Sequence, residues 1–251
     1  MKLDNKSLEF YANNFSPHRR MHMFKYLLVS LVLVLSFTAN AKTIWSNYSF
    51  SYLSGSNYEV GDSSRNVMTF EYATGTTWGD SFMFFDRLIS DNGHVETYGE
   101  FSPRFKISDL DGFVKSIYFA PSIEMGPSTN YLYGIGTDLA VPGFAFFQAN
   151  GFFRDNANGD SSFQATLVWA IPLGPLWYDG FLDYATGFDA DAGYKVESSM
   201  NLTSQLKYDI AQHIGADTKV FVGVEYTYWI NKFGIDGVDE NNLNLLVKYH
   251  F

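Results

Sequence analysis

A closed antiparallel transmembrane β-barrel of about twelve strands, with both chain ends on the periplasmic side, is the fold class this sequence predicts. Three observations predict it: an export signal near the N-terminus, apolar/polar alternation recurring in segments of ten or so positions, and connections that alternate between short and long.

The export signal comes first along the chain. Lys25 precedes the apolar run from Tyr26 to Phe37, and Ala39-Asn40-Ala41 supplies small residues where a signal peptidase cuts. The run is about a dozen residues, whereas a helix needs about 20 to cross the hydrocarbon core, so a permanent anchor is disfavoured. Residues 1–41 are therefore expected to be a signal peptide, with the exported protein starting at Lys42. Residues 1–20 lack an apolar period and precede Met21 and Met23, so they fit a mis-assigned start.

Composition narrows the class of the exported protein. There is no cysteine, so neither disulfides nor thiolate metal sites are available. Removing residues 1–41 leaves 12 basic and 25 acidic residues, a mature net charge of about −13. That balance argues against nucleic-acid binding, which needs a basic footprint for phosphates.

The mature chain then divides into twelve expected strands: 44 to 53, 66 to 74, 81 to 90, 96 to 107, 114 to 125, 130 to 140, 144 to 154, 161 to 172, 176 to 186, 196 to 209, 219 to 230 and 242 to 251. Each is argued from a period of two, the mark of a strand with different solvents on its two faces. In the fourth, Glu96, Tyr98, Glu100, Ser102, Arg104 and Lys106 share one face, which can point neither into a dry core nor into lipid. In the eighth, Phe163, Ala165, Leu167, Trp169 and Ile171 oppose Ser162, Gln164 and Thr166. In the tenth, Ser198, Met200, Leu202, Leu206 and Tyr208 oppose Ser199, Asn201, Thr203, Gln205 and Lys207, with Ser204 a polar intrusion on the apolar side. In the last, Leu243, Leu245, Val247, Tyr249 and Phe251 alternate with Asn242, Asn244, Leu246, Lys248 and His250. An even count suits a single-chain bacterial barrel.

Between the strands, turns such as Val141-Pro142-Gly143 and Leu173-Gly174-Pro175 alternate with loops 54–65, 187–195 and 231–241. The longer set is acidic, with Glu59, Asp62, Asp91, Asp155, Asp160, Asp189, Asp191, Asp236, Asp239 and Glu240. One connection on the short side, around Asp209 to Thr218, is longer than this rule predicts. A soluble β-sandwich or lipocalin-like barrel also alternates, but it should hide its large apolar residues. Here the polar face carries the charges, and Trp169, Tyr178, Tyr208, Tyr226, Tyr228 and Tyr249 suit girdles at the membrane interfaces. A last strand ending in Phe251 looks like the C-terminal signal recognised by the outer-membrane assembly machinery.

The segments Thr69-Phe70-Glu71-Tyr72, Trp78-Gly79-Asp80-Ser81-Phe82-Met83-Phe84-Phe85-Asp86, Tyr98-Gly99-Glu100-Phe101-Ser102-Pro103-Arg104 and Asp179-Gly180-Phe181-Leu182-Asp183 resemble the nucleoside-specific outer-membrane channel family, the Tsx-like and OmpK-like porins. The resemblance runs over essentially the whole mature chain. It implies a narrow monomeric barrel in the Gram-negative outer membrane, set among lipid and lipopolysaccharide, that passes nucleosides and deoxynucleosides. In some relatives it implies a phage or colicin receptor as well.

Parity assigns the inward set. In the third strand both Phe82-Phe84-Asp86 and Met83-Phe85-Arg87 alternate acceptably; the first is taken as inward because Asp86 would be costly in lipid, leaving Arg87 to snorkel to the interface. Phe84, Tyr98, Trp177 and Phe181 offer faces on which a base could stack, a contact of about 1–3 kcal/mol elsewhere. Glu100, Arg104, Asp179 and Asp183 offer partners for hydroxyl groups. Glu71, Asp86, Glu124, Lys207 and Glu225 complete the candidate solute-contacting set, with Asn47, Ser49, Ser51, Tyr118 and Lys248 on the same face. The same charges equally suit cross-strand ion pairs that stiffen the wall. An acidic mouth disfavours anions, so phosphorylated nucleotides fit less well than nucleosides.

Little else in the sequence carries chemistry. Beyond the signal segment the histidines are His94, His213 and His250, too scattered to suggest a metal site or a nucleophile–base pair. No glycine loop for phosphate is present. No cofactor is expected, nor an enzyme, although His94 with Ser90 is the pair a barrel hydrolase would use. A third alternative is an adhesin or phage-receptor barrel with little transport.

Overall fold

Period-two alternation gives each strand two unlike faces, and a sheet of such strands must either cover its edges or close on itself. The computed structural model, which describes residues 42–251, closes. The expected signal segment 1–41 lies outside the described residues. The strands are β1 (Thr43–Gly55), β2 (Arg65–Thr76), β3 (Gly79–Ser90), β4 (Val95–Asp109), β5 (Val114–Met125), β6 (Thr129–Leu139), β7 (Phe146–Asp155), β8 (Ser162–Leu173), β9 (Leu176–Ala185), β10 (Phe188–Asp189), β11 (Lys195–Val196), β12 (Ser199–Asp209), β13 (Val220–Ile230) and β14 (Glu240–His250). Twelve of them form one antiparallel barrel, with β12 following β9 and β14 pairing with β1; β10 and β11 form a separate two-stranded ribbon.

The seam is continuous. Ser49 faces His250, Ser54 faces Leu245, and the Phe251 amide donates to the Tyr48 carbonyl at 3.1 Å. Followed once round the wall, the registers advance by about 16 residues. With twelve strands, that shear tilts them by about 42° and sets a backbone radius of about 13 Å. Each residue along a strand then climbs about 2.4 Å, and each step to the next strand along a hydrogen-bonded line climbs about 3.2 Å.

Both described chain ends fall on one rim, the terminal rim, together with connections 77–78, 110–113, 140–145, 174–175 and 210–219. The opposite rim, the loop rim, carries 56–64, 91–94, 126–128, 156–161, 186–198 and 231–239. The connection 77–78 is short enough to need Gly79 at φ 145°, a value that strains any side chain. The long connection 210–219 holds a one-turn helix, α1 (Ala211–Ile214), closed by Gly215 in the left-handed region.

The expected boundaries shift in a few places. The strand expected at 196–209 starts at Ser199, because Lys195 and Val196 turn back onto Phe188 and Asp189 in the ribbon. The strand expected at 96–107 runs to Asp109 through an irregularity between Lys106 and Ser108. One sector of the inner face is apolar rather than wet: Leu53, Val67 and Leu246 are buried together, with Tyr58 and Leu88 packed on them. Loop 56–64 folds back to supply Tyr58, so these aliphatic side chains leave water without leaving the inside of the barrel.

The outer face is the greasy one. Phe50, Tyr52, Phe119, Tyr131, Tyr133, Ile135, Leu243 and Val247 are all exposed, and Phe163 and Leu245 are 63% and 70% exposed. So broad an apolar surface needs a nonaqueous neighbour. Arg87 stands on this face and donates to Thr97 at 2.8 Å, while Trp169 is covered by its surroundings, its ring centroid 6.3 Å from that of Tyr178.

Candidate functional site

Side chains that reach over an intervening strand identify the concave side of the wall. Arg104 on β4 reaches Asp138 on β6, Arg154 on β7 reaches Glu124 on β5, and Lys248 on β14 reaches Glu71 on β2. The registers put Glu71, Phe84, Asp86, Tyr98, Glu100, Arg104, Glu124, Trp177, Asp179, Phe181, Asp183, Lys207 and Glu225 on that one inner face. In β3 the inner set is the one that contains Phe82, Phe84 and Asp86, with Asp80 and Leu88 on the same face.

These residues do not form one cluster. Towards the terminal rim, Arg104 binds Asp80 through two bonds of 2.8 and 2.6 Å and Asp138 at 2.9 Å. Its guanidinium lies 4.2 Å from the Tyr118 ring centre, and the Tyr118 hydroxyl donates to Asp138 at 2.6 Å. At similar height, the Lys207 ammonium donates to Asp179 at 2.8 Å and to the Gln205 carbonyl at 2.9 Å. Lys248 pairs with Glu71, whose carboxylate also accepts from Ser49 at 2.6 Å.

Higher up, Arg154 binds both oxygens of Glu124, at 2.5 and 2.6 Å, and donates to Gln164 and Asn156. Tyr98 donates to Glu100 at 2.6 Å, and its ring lies 5.9 Å from that of Phe84. Thr69 donates to Asp86 at 2.6 Å, and Thr166 to Asp183 at 2.5 Å. Glu225 accepts from Gln205 at 2.8 Å and from Asn244 at 3.2 Å. Trp177 sits lower, where Lys219 from the terminal-rim connection lies 5.5 Å from its ring.

Three participants escape a sequence reading that goes strand by strand. Asp80 falls outside the expected third strand, and Asp138 and Arg154 lie in strands whose other inner residues are mostly neutral. A usable signal is present: Arg154 shares parity with Gln148, Asn150 and Phe152, and Asp138 shares it with Gly134 and Gly136.

At the loop rim, Lys232 is buried between Glu240, with which it pairs, and the rings of Trp229, Phe233 and Tyr58 at 5.0, 5.2 and 5.7 Å. Burial pushes the Lys232 ammonium down from its ordinary range, against the pull of Glu240. Arg65 covers Tyr58 from another side at 5.1 Å, and the Tyr58 hydroxyl donates to Asn244 at 2.9 Å. Burial pushes that phenol up. Loops 56–64 and 231–239 are thus fastened to the wall over β13, β14, β1 and β2.

The residues a hydrolase would need are not joined. The His94 ring meets Glu96 at 2.9 Å, whereas Ser90 meets His94 through a backbone bond, its amide donating to the His94 carbonyl. Among the described residues, no group of three or more His, Asp or Glu is arranged to hold a metal ion.

Comparison with known proteins adds the fold class. No protein-family model matches the chain, and no curated protein sequence matches it. Among solved structures, the chain is similar to the NanC porin, with a TM-score of 0.55 and 12% identity over 82% of this chain and 99% of that one. A KdgM porin in complex with disordered oligogalacturonate superposes with a TM-score of 0.49 and 11% identity over the same shares. At such identity the likeness to NanC speaks for a shared barrel fold.

Proposed function

We propose that this chain is an outer-membrane channel of a Gram-negative bacterium, through which small polar solutes diffuse passively and selectively. The observation that carries this reading is the inversion of the wall. Large apolar side chains cover the outside, while the inner face concentrates the arginines, lysines and carboxylates. A soluble barrel of this size does the reverse, because an exposed apolar belt costs roughly 25 cal/mol per Å² left in water. In lipid the belt is at home, and closing the sheet gives each barrel strand two hydrogen-bonded neighbours and leaves no free edge. The porin-like fold supports the same reading.

In this reading residues 1–41 are the export signal, and the terminal rim with its mostly short turns faces the periplasm. The resemblance to nucleoside-specific channels makes nucleosides the first solutes to test, with Phe84, Tyr98, Trp177 and Phe181 as stacking faces and the inner carboxylates as hydroxyl acceptors. The affinity must stay modest, since a solute bound too tightly does not leave. Reconstituted in a planar bilayer, the mature chain should give discrete single-channel currents that adenosine or thymidine reduces. Liposome swelling should rank nucleosides above sugars and amino acids of similar size. A preparation that stays soluble without detergent, or inserts and conducts nothing, refutes the channel.

A further inference from the structure

Ordering the inner-face charges by height, from register and tilt, separates two levels whose Cα atoms lie about 10 Å apart along the barrel axis. In the lower level, Arg104, Lys207 and Lys248 stand against Glu71, Asp80, Asp138 and Asp179, and each cation is bonded to a carboxylate. That level is close to neutral. In the upper level Asp86, Glu100, Glu124, Asp183 and Glu225 fall within about 5 Å of one height, against Arg154. Arg154 is bonded to Glu124.

The other four upper carboxylates are held by neutral donors: Thr69 on Asp86, Tyr98 on Glu100, Thr166 on Asp183, and Gln205 with Asn244 on Glu225. Neutral donors fix the geometry of a carboxylate without bringing a counter-charge of their own, which a structural ion pair would. Nor are the four strung along one wall. Asp86 and Glu100 stand on the adjacent strands β3 and β4, Asp183 on β9, five strands further round from β4, and Glu225 on β13. Ser51, opposite Thr69 on one side and Lys248 on the other and therefore between the two levels, is 1% exposed, and its hydroxyl has no partner among the described residues.

We propose that this upper level is a charge filter that favours cations over anions, and that the organic solutes it suits best are small flat amines or amidines. The inference rests on the channel reading above and deepens it. A ring of like charge raises the local concentration of counter-ions, and Asp/Glu rings select cations in other pores. The rings of Phe84, Tyr98 and Phe181, at or beside the same level, add faces that attract an organic cation. Neutral nucleosides meet no barrier here, while phosphorylated ones meet repulsion.

The test uses the full mature chain in a planar bilayer under a tenfold KCl gradient. The reversal potential should report a cation preference of about fivefold, and replacing KCl with benzamidinium chloride or potassium benzoate should show the cation permeant and the anion largely excluded. Combining Asp86→Asn, Glu100→Gln, Asp183→Asn and Glu225→Gln should bring the preference to within about twofold of unity while current persists. Should that variant not fold, Glu100→Gln and Asp183→Asn singly should each lower the preference, and Glu100→Asp should keep it. Anion preference, absence of preference, or a preference untouched by every one of these substitutions overturns the filter and leaves the channel standing. Absence of current overturns both.

Discussion

Replacing Arg104 by methionine tests whether the lower level holds the wall together. The guanidinium is 7% exposed, and it neutralises Asp80 and Asp138, which are 26% and 32% exposed. Removing one partner of a fully buried pair costs about 3–5 kcal/mol, because the remaining charge has lost its compensation. Asp80 and Asp138 keep some access to water, which reduces this to about 2–3 kcal/mol. Losing the stack on Tyr118 adds about 1 kcal/mol. Arg104→Met is therefore expected to destabilise the barrel by about 3–4 kcal/mol. Neutralising the stranded acids as well, in Arg104→Met with Asp80→Asn and Asp138→Asn, should recover all but about 1 kcal/mol. Guanidinium titration of the refolded protein in micelles, followed by tryptophan fluorescence, gives both values from the midpoint shift at constant slope. A loss under about 1 kcal/mol for the single variant, or a triple variant no better than the single, refutes the reasoning.

Two further outcomes concern the loop rim. Lys232→Met strands Glu240, which is 2% exposed, and should loosen loops 56–64 and 231–239 by about 3–5 kcal/mol, seen as faster proteolysis there; adding Glu240→Gln should restore most of the protection, and unchanged cleavage in the single variant would contradict the fastening role. Asp62 accepts from the amides of Ser64 at 3.1 Å and Asn92 at 2.8 Å, and these two bonds hold its carboxyl below the ordinary carboxylate range. A depressed value means the stabilisation is complete above the unfolded value of about 3.9 and is lost as pH falls through the folded one. The Ser64 and Asn92 amide resonances should therefore titrate together with a midpoint below about 3.9; a midpoint at or above it, or no response, sinks the clasp.

The sequence made the faces legible because lipid and water impose opposite demands on alternate residues, so parity alone sorted Glu100 from Phe101 and Asp183 from Leu182. It made the number of barrel strands legible for the same reason. It could not name partners. That Arg104 would meet Asp138 rather than a carboxylate on its neighbouring β5 depends on register and shear, and neither is written in the alternation of a single strand. The ribbon of β10 and β11 was out of reach because two-residue strands have no period to detect. Tyr58 was missed for a related reason: its place depends on where loop 56–64 folds back, not on its own neighbours in the chain. The grouping of carboxylates into two heights likewise needed the tilt, since residues level with one another come from distant rungs of the ladder.

The seam between β1 and β14 has a consequence for how such a chain can change length. With every barrel strand locked to two neighbours, a single inserted or deleted residue within the wall would turn the rest of that strand inside out, presenting charges such as Glu100 or Lys207 to hydrocarbon. Indels inside the wall must therefore come in pairs or be absorbed by a bulge like the one near Lys106. Unpaired gains and losses are confined to the connections, so versions of this protein should diverge in length at the rims and keep the same strand parity from Thr43 to His250.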